Sequence, residues 1–177
     1  MIGVGALVHS NTLKALGYEQ GRTLLVDLGA ARTDVLVMDG EDIELARSLA
    51  SGGNGITEAI SDLLNVSFRE AEQMKLEDAL VVPEGTQLYD PQESRLVPAV
   101  RVGLSPIMRG IVQSVERTAG TKGETVDRVV LCGGGALLRG LPEYLHQTLG
   151  VPVETLDATQ SSMNKLCLLY TSDAADE

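Results

Sequence analysis

The first third of the chain alternates short apolar runs with polar turns, which is the pattern of a β-meander. Residues 23–26 and 34–38 are rich in leucine and β-branched side chains, and residues 43–49 alternate between apolar and polar positions. Asp39-Gly40, between the second and third runs, is a strong signal for a tight turn. The pattern therefore predicts three antiparallel strands in sequence order.

Two helices are predicted to follow the meander. The first comes after the glycines of residues 52–55 and carries apolar residues at helical spacing, with Asn54 or Thr57 near its cap. Ser67 can cap the second helix, and Glu70 three residues later completes a capping box.

The middle of the chain is predicted to be a loop and then a helix. Residues 81–94 contain several turn signals, among them Asp90-Pro91. Ser105-Pro106 has the form of a helix start, because a capping residue is followed by a first-turn proline. Residues 96–104 are ambiguous, since Pro106 would kink any helix that ran through them.

A strand, a glycine turn, a helix and a second strand follow. Residues 126–131 form a nearly continuous apolar run, typical of a buried strand, and glycines occupy 133–135. Residues 141–149 are predicted to be a helix closed by Gly150, and residues 151–155 a short strand. This βαβ unit and the meander together predict an α/β fold, a mixed sheet with helices packed on it and a helical insertion between them.

Composition and charge argue against several functions. Of the 177 residues, 44% are hydrophobic and 22% are charged, and the formal net charge is -11. So acidic a chain lacks the lysines and arginines that neutralise phosphates, which argues against nucleic-acid partners and anionic membrane surfaces. No apolar run approaches the ~20 residues of a membrane-spanning helix, so direct membrane insertion is not expected.

The cysteines and histidines show no metal-ligand spacing in the sequence. Cys132 and Cys167 are too few for a disulfide framework, which favours a reduced cytoplasmic setting. His9 and His146 are isolated from each other and from the cysteines along the chain. Both are predicted to be surface or helix-face residues.

The loop between the first two predicted strands carries residues suited to binding phosphate. Asp27 lies at a strand end and is followed by Gly29 and Thr33, which places a carboxylate, backbone N–H groups and a hydroxyl on one turn. Backbone N–H groups bind phosphate, and a carboxylate can hold Mg²⁺ through water. A plain hairpin with an aspartate turn is the alternative interpretation.

Two further segments are candidates for a binding site. Gly133-Gly134-Gly135 allows a flat base or a ribose to approach the backbone closely, although a turn forced by tight packing would need the same glycines. Glu72 and Lys75 lie three residues apart on one helix face, where a surface ion pair is the simplest interpretation.

Together these segments resemble the actin-like ATPase superfamily, which includes actin, FtsA, the heat-shock chaperones and sugar kinases. Residues 27–34 (DLGAARTD) resemble its second phosphate segment, and residues 133–140 (GGGALLRG) resemble its adenosine segment. Residues 52–60 (GGNGITEAI), followed by residues 71–75 (AEQMK), are most similar to the PilM branch of type IV pilus assembly and to the cytoplasmic domain of GspL from type II secretion.

The resemblance implies a site for ATP with Mg²⁺, in which Asp27 holds the metal and Glu72 and Lys75 touch the ribose and the adenine. The turn that is usually rich in glycine is Ala30-Ala31-Arg32 here, and alanine tolerates positive φ poorly. Weak phosphate binding, direct contact of Arg32 with a phosphate and loss of nucleotide all remain open. The residues implied to contact the nucleotide are Asp27, Gly29, Ala30, Thr33, Glu72, Lys75, Gly133, Gly134, Gly135 and Leu138.

The resemblance also implies how the chain is organised. Residues 23–50 and 101–160 would form the ribonuclease H-like part of the second actin-like domain, with residues 51–100 as an inserted helical subdomain. Residues 1–22, which include a predicted helix ending at Gly17, would be the end of a preceding domain or a connecting helix.

Both ends of the chain depart from the family pattern. Residues 161–177 are expected to be a disordered or artefactual tail, and residues 167–177 resemble a translated sequencing adapter. The first phosphate segment of the superfamily is not found, so we expect Met1 to be internal to a longer gene. The fragment is therefore expected to bind ATP weakly or not at all.

Three functions are compatible with the resemblance. The first is an ATP-binding assembly protein of a type IV pilus or type II secretion machine, with little or no catalysis. It would be cytoplasmic, held at the inner membrane by pilus or secretion assembly proteins, and able to self-associate. The alternatives are an FtsA-like division filament protein and a sugar or acid kinase, although no catalytic base or substrate pocket is evident for a kinase.

Overall fold

The computed structural model describes residues 4–18, 20–122 and 125–156 and contains one five-stranded mixed sheet. The sheet order is β3-β2-β1-β4-β5. The strands are β1 (Arg22–Leu28), β2 (Thr33–Asp39), β3 (Asp42–Leu49), β4 (Arg128–Cys132) and β5 (Val153–Thr155). The helices are α1 (Val4–Ala15), α2 (Gly53–Leu64), α3 (Phe68–Asp78), α4 (Pro91–Lys122) and α5 (Leu141–Leu149), with a 3₁₀ turn over Gly134–Leu137.

The strand pairing confirms both predicted β units. β1, β2 and β3 pair antiparallel in sequence order, which is the predicted meander. β4 pairs parallel with β1 and also with β5, and α5 connects β4 to β5 as a βαβ unit. The mixed α/β fold is therefore as predicted.

Alternate residues of the central strands face two separate apolar layers. On one face, Leu24, Val26 and Leu28 of β1 join a large core that includes residues of α2, α4 and α5. On the other face, Leu25 belongs to a smaller cluster that contains Leu13 of α1. The two-residue period of the strands thus places α1 on the side of the sheet opposite the other helices.

Helix α4 begins much earlier than predicted. The carboxylate of Asp90 accepts a hydrogen bond from the N–H of Gln92 (2.7 Å), and Pro91 occupies the first turn. This is the same signal, a capping residue followed by proline, that was assigned to Ser105-Pro106. Interpreting residues 81–94 as loop throughout was therefore wrong at the C-terminal end of that segment.

Helix α4 also continues through Pro98 and Pro106, so Pro106 does not mark its start. A proline in a helix interior removes a backbone hydrogen bond and costs about 3 kcal/mol. Burial of one apolar face of α4 offsets this cost, and it makes the ambiguous residues 96–104 helical. The buried apolar side chains are Leu96, Val97, Ala99, Val100, Leu104, Ile107, Met108 and Ile111.

Helix α2 starts without the side-chain cap expected from Asn54 or Thr57. The first N–H groups of the helix, those of Gly53 and Asn54, donate instead to the carbonyls of the β1–β2 turn, Gly29 and Ala30 (2.9 and 2.8 Å). A tertiary contact has therefore replaced the local cap.

The other helix predictions are confirmed apart from their bounds. In α3 the hydroxyl of Ser67 accepts from the N–H of Glu70 (3.3 Å), and the Glu70 carboxylate accepts from the N–H of Ser67 (2.9 Å). The predicted helix over residues 11–16 is the end of α1, and it is followed by Gly17 at φ +83°.

The predicted domain division stays a prediction. Helix α4 runs without a break across the boundary proposed between residues 100 and 101. The predicted disordered or artefactual tail, residues 161–177 with the adapter-like segment at 167–177, lies outside the described residues. No helix in the described part of the chain combines the length and the apolar character that a membrane-spanning segment needs.

Candidate functional site

Both glycine turns and the Glu72–Lys75 helix meet around one cavity of about 280 Å³. The β1–β2 turn, the start of α2, one face of α3 and the 3₁₀ turn after β4 supply its wall. The lining residues that were predicted from the sequence are Gly29, Ala30, Glu72, Lys75, Gly134, Gly135 and Leu138. Those that were not predicted are Gly53, Ile56, Leu76, Ala79, Leu137 and Arg139.

The β1–β2 turn is closed on itself and packed against α2. The N–H of Gly29 donates to the carbonyl of Arg32 (3.0 Å), so it is already used within the turn. A Cβ on Gly52 would lie 2.6 Å from Gly29 O and 2.7 Å from Ala30 O, which leaves no room for a larger residue. Among the described residues, Asn65 is the only non-glycine with positive φ, so the alanine turn forms without left-handed backbone.

Asp27, Thr33 and Gly133 lie beside the cavity rather than in its wall. Thr33 is fully buried, and its hydroxyl donates to the carbonyl of Ser51 (2.8 Å). Gly133 has φ +82°, and a Cβ there would fall on Oδ1 of Asp27 and within 2.7 Å of Leu28 O. The structure thus gives Thr33 and Gly133 packing roles, and their contact with a nucleotide stays a prediction.

Lys75 is the centre of a polar network at the edge of the cavity. Its Nζ donates to Glu72 Oε2 (2.7 Å), Thr57 Oγ1 (2.8 Å) and Gly53 O (3.2 Å). The Lys75 side chain is only 14% exposed. The predicted ion pair between Glu72 and Lys75 is present (2.7 Å), and Lys75 also ties α3 to the start of α2.

The network keeps the Glu72 carboxylate ionised. Burial by itself raises the pKa of Glu72, but hydrogen bonds from Lys75 and Thr57 and the charge of Lys75 together leave that pKa below its ordinary value. An ionised carboxylate accepts hydrogen bonds only, so it suits a ligand with hydroxyl or amino donors, such as a ribose.

Apolar side chains line the rest of the opening. Leu76 is 74% exposed and Leu137 is 75% exposed, although both are large hydrophobic residues on the cavity wall. Leu76 follows Lys75 in α3, and Leu137 precedes Leu138 in the 3₁₀ turn. Leu76 lies one residue beyond the 71–75 segment, whereas Leu137 lies within the 133–140 segment but was not among the residues predicted to contact the nucleotide.

A second polar cluster lies beside the first turn. His9 Nε2 of α1 is 3.3 Å from Asp27 Oδ2, and the Sγ of Cys132 completes a group whose ligand atoms lie within 4.8 Å of one another. The side chains of His9 and Asp27 are 18% and 32% exposed. His9 is therefore not the isolated residue that the sequence suggested, because α1 packs on the same face of the sheet.

Cys132 is expected to react slowly with thiol reagents in the folded chain. Desolvation, followed by the charges of Asp27 and Asp34, raises the pKa of Cys132 to about 12. The reactive thiolate is then scarce at neutral pH. Iodoacetamide labelling followed by peptide mass spectrometry should modify Cys132 quickly only after unfolding in denaturant, with glutathione in the same tube as the reference thiol. Labelling of the folded chain at the glutathione rate would contradict this expectation.

A family model described as "Cell division protein FtsA" matches residues 24–167 of the chain. Over 160 residues, the chain is 25% identical to the cell division protein FtsA of Enterococcus hirae. The match covers 84% of this chain and 36% of that protein. The chain thus spans about a third of the length of this curated relative.

Solved structures share the fold at lower identity. The chain is similar to a structure of the PilM-PilN type IV pilus biogenesis complex, with 24% identity and a TM-score of 0.67 over 91% of this chain and 45% of that one. It is also similar to MreB 5 of Spiroplasma citri bound to AMPPNP, with 18% identity and a TM-score of 0.70 over 95% of this chain and 58% of that one. Both similarities show an actin-like ATPase fold.

Proposed function

Because the chain belongs to the FtsA family and has the actin-like ATPase fold, we propose that it is an ATP-binding assembly protein. One observation carries the proposal. Gly29, Lys75 and Gly135, which are far apart in sequence, line a single cavity. An ammonium, an ionised carboxylate and bare glycine backbone at one apolar opening suit a nucleoside with an attached anion.

The residues present fit the nucleoside part of the ligand. A Cβ built on Gly134 meets no atom within 4 Å, so a ring or a ribose can approach the backbone there. Leu76 and Leu137 supply apolar surface for the base, and the Glu72 carboxylate supplies an acceptor for a ribose hydroxyl. At about 280 Å³, the cavity lies near the lower limit of small-molecule pockets, roughly 300 Å³. Binding by this chain is therefore expected to be weak.

Asp27 is the residue that would hold Mg²⁺ through water. Its side chain is 32% exposed and lies beside the glycine turn of Gly133. A bound Mg²⁺ would supply positive charge to the phosphates. We assign no catalytic residue.

We place the protein in the cytoplasm, at the inner membrane through partner proteins, with self-association as part of its role. The FtsA family match supports a cell-division assembly. The similarity to the PilM-PilN structure supports a second candidate, assembly of a pilus or secretion machine. Genes that flank the full-length gene would separate the two, since division genes favour the first and pilus or secretion genes favour the second.

A bulky residue at Gly134 tests the nucleotide site. Gly134→Leu is expected to weaken Mg-ATP binding by about tenfold or more, because a side chain at this cavity-lining position would take the space of the ligand. Saturation-transfer NMR with ATP and adenosine would measure ligand binding by the unmodified chain and by the variant. The matched control is Gln87→Leu, which adds the same side chain at an exposed loop position away from the cavity.

Two results would contradict the proposal. One is equal ATP binding by Gly134→Leu and Gln87→Leu, which would place the nucleotide elsewhere. The other is the absence of saturation transfer to the adenine protons in the unmodified chain, which would show that the cavity does not bind a nucleotide.

A further inference from the structure

His9, Asp27 and Cys132 come from three separate elements and converge at one point. Asp27 and Cys132 are direct partners in the parallel pairing of β1 with β4, so their side chains lie on the same face of the sheet. Helix α1 packs on that face through Leu13 and brings His9 Nε2 to 3.3 Å from Asp27 Oδ2. Strand register and helix packing therefore hold the three ligand atoms within 4.8 Å of one another.

These distances are close to those of a metal site. Zinc bonds of about 2.0–2.3 Å to nitrogen, oxygen and sulfur place tetrahedral ligand atoms roughly 3.3–3.8 Å apart. The 3.3 Å between His9 Nε2 and Asp27 Oδ2 already falls in this range. The distances to Cys132 Sγ are at most 4.8 Å, about 1 Å longer than in a tetrahedral site.

The kinds of ligand atom select the metal. A thiolate and an imidazole favour zinc and its transition-metal neighbours over Mg²⁺, which prefers oxygen ligands. We propose that His9, Asp27 and Cys132 form a binding site for a zinc-class divalent metal, with one coordination position left open. On binding, the metal–sulfur bond forms as the thiol proton of Cys132 passes to solvent, and no oxidation or reduction takes place.

The zinc-class site and the proposed Mg²⁺ position share Asp27, but the test of each proposal uses other residues. The Asp27 carboxylate directs Oδ2 to His9, whereas Oδ1 faces the Gly133 turn. The nucleotide cavity is lined by other residues, including Gly134 and Lys75. Either proposal can therefore fail while the other stands.

Cobalt titration tests the site by spectroscopy. In a Cys167→Ser background, where Cys132 is the remaining cysteine, Co²⁺ is expected to bind one per chain. A thiolate-to-cobalt charge-transfer band should appear in the near ultraviolet, and excess Zn²⁺ but not excess Mg²⁺ should abolish it. Cys132→Ser should remove the band.

The two histidines provide a matched pair of variants. His9→Gln is expected to lower the Co²⁺ affinity by at least about tenfold, since even supporting residues of metal sites contribute that much. His146→Gln should leave the affinity unchanged, because the His146 ring contacts the carbonyl of Val151 in another part of the molecule.

Three results would overturn the metal site. They are the absence of the band in the Cys167→Ser protein, its persistence in Cys132→Ser, and equal affinities for His9→Gln and His146→Gln. Circular dichroism checks that each variant is folded. If Cys132→Ser does not fold, the comparison of the two histidine variants decides the question.

Discussion

Replacing Gly103 with alanine is expected to destabilise the protein by about 1–3 kcal/mol or more, although alanine normally favours a helix. Gly103 lies where α4 contacts α2. A Cβ at position 103 would overlap the Cα of Ile56 and would lie only 2.6 Å from the carbonyl oxygen of Gly55. Both are backbone atoms, so the clash can be relieved only by moving one helix away from the other.

The opposite helix offers a matched control. A Cβ on Gly55 would meet only the carbonyl oxygen of Gly103, at an ordinary 3.7 Å. Gly55→Ala should therefore be neutral or stabilise α2 by up to about 1 kcal/mol. Urea unfolding followed by circular dichroism would measure both variants. Equal stabilities would show that the two helix backbones are not in contact at this point.

The effect of Gly103→Ala should reach the cavity as well. Helix α2 supplies Gly53 and Ile56 to the cavity wall, and its first N–H groups bond to the β1–β2 turn. A shift of α2 away from α4 therefore changes the site as well as the core. Loss of ligand binding should accompany the loss of stability.

Features with a local cause could be predicted from the sequence. The meander follows from alternating apolar residues and the turn at Gly40, and the α3 cap follows from Ser67 and Glu70. In each case the residues that form the structure are neighbours along the chain. The glycine motifs were recognisable for the same reason.

Features that depend on tertiary contacts could not be predicted in this way. Pro98 and Pro106 are tolerated in α4 because a buried face offsets their cost, and burial is invisible in a local pattern. The α2 start is capped by carbonyls of the Gly29 turn, far away in sequence. His9 meets Asp27 only because α1 packs across the sheet.

The candidate site contains features of both kinds, those with a local cause and those that depend on tertiary contacts. The motifs located Gly29, Glu72 and Gly135, but the network that surrounds Lys75 was missed because two of its partners, Gly53 and Thr57, lie in a different helix. An i, i+3 spacing predicts contact within one helix and says nothing about what packs against it. Lys75 consequently has a larger expected role than a surface lysine.

Lys75→Met is expected to destabilise the protein by about 1–2 kcal/mol and to abolish detectable nucleotide binding. Methionine keeps the length of the apolar stem but removes three hydrogen bonds, to Gly53, Thr57 and Glu72. The estimate lies toward the low end for charged hydrogen bonds because the Glu72 side chain is 35% exposed. Lys14→Met is the control, since Lys14 pairs with the 75% exposed Glu41 and should change stability little.

The loss of stability in Lys75→Met should also depend on pH, in a direction set by the pKa of Glu72. The pKa of Glu72 is lowered in the folded state, where hydrogen bonds and charge from its partners outweigh burial. A lowered folded pKa contributes stability above the unfolded value of about 4.3, and that contribution disappears as the pH falls through the folded pKa. Urea midpoints of wild type and Lys75→Met should therefore differ most at neutral pH. The difference should narrow as acid protonates Glu72, which leaves the part due to the bonds to Gly53 and Thr57. A difference that stays constant across this range would mean that the hydrogen bonds from Lys75 to Gly53 and Thr57 account for the lost stability, and that its charge on Glu72 contributes nothing.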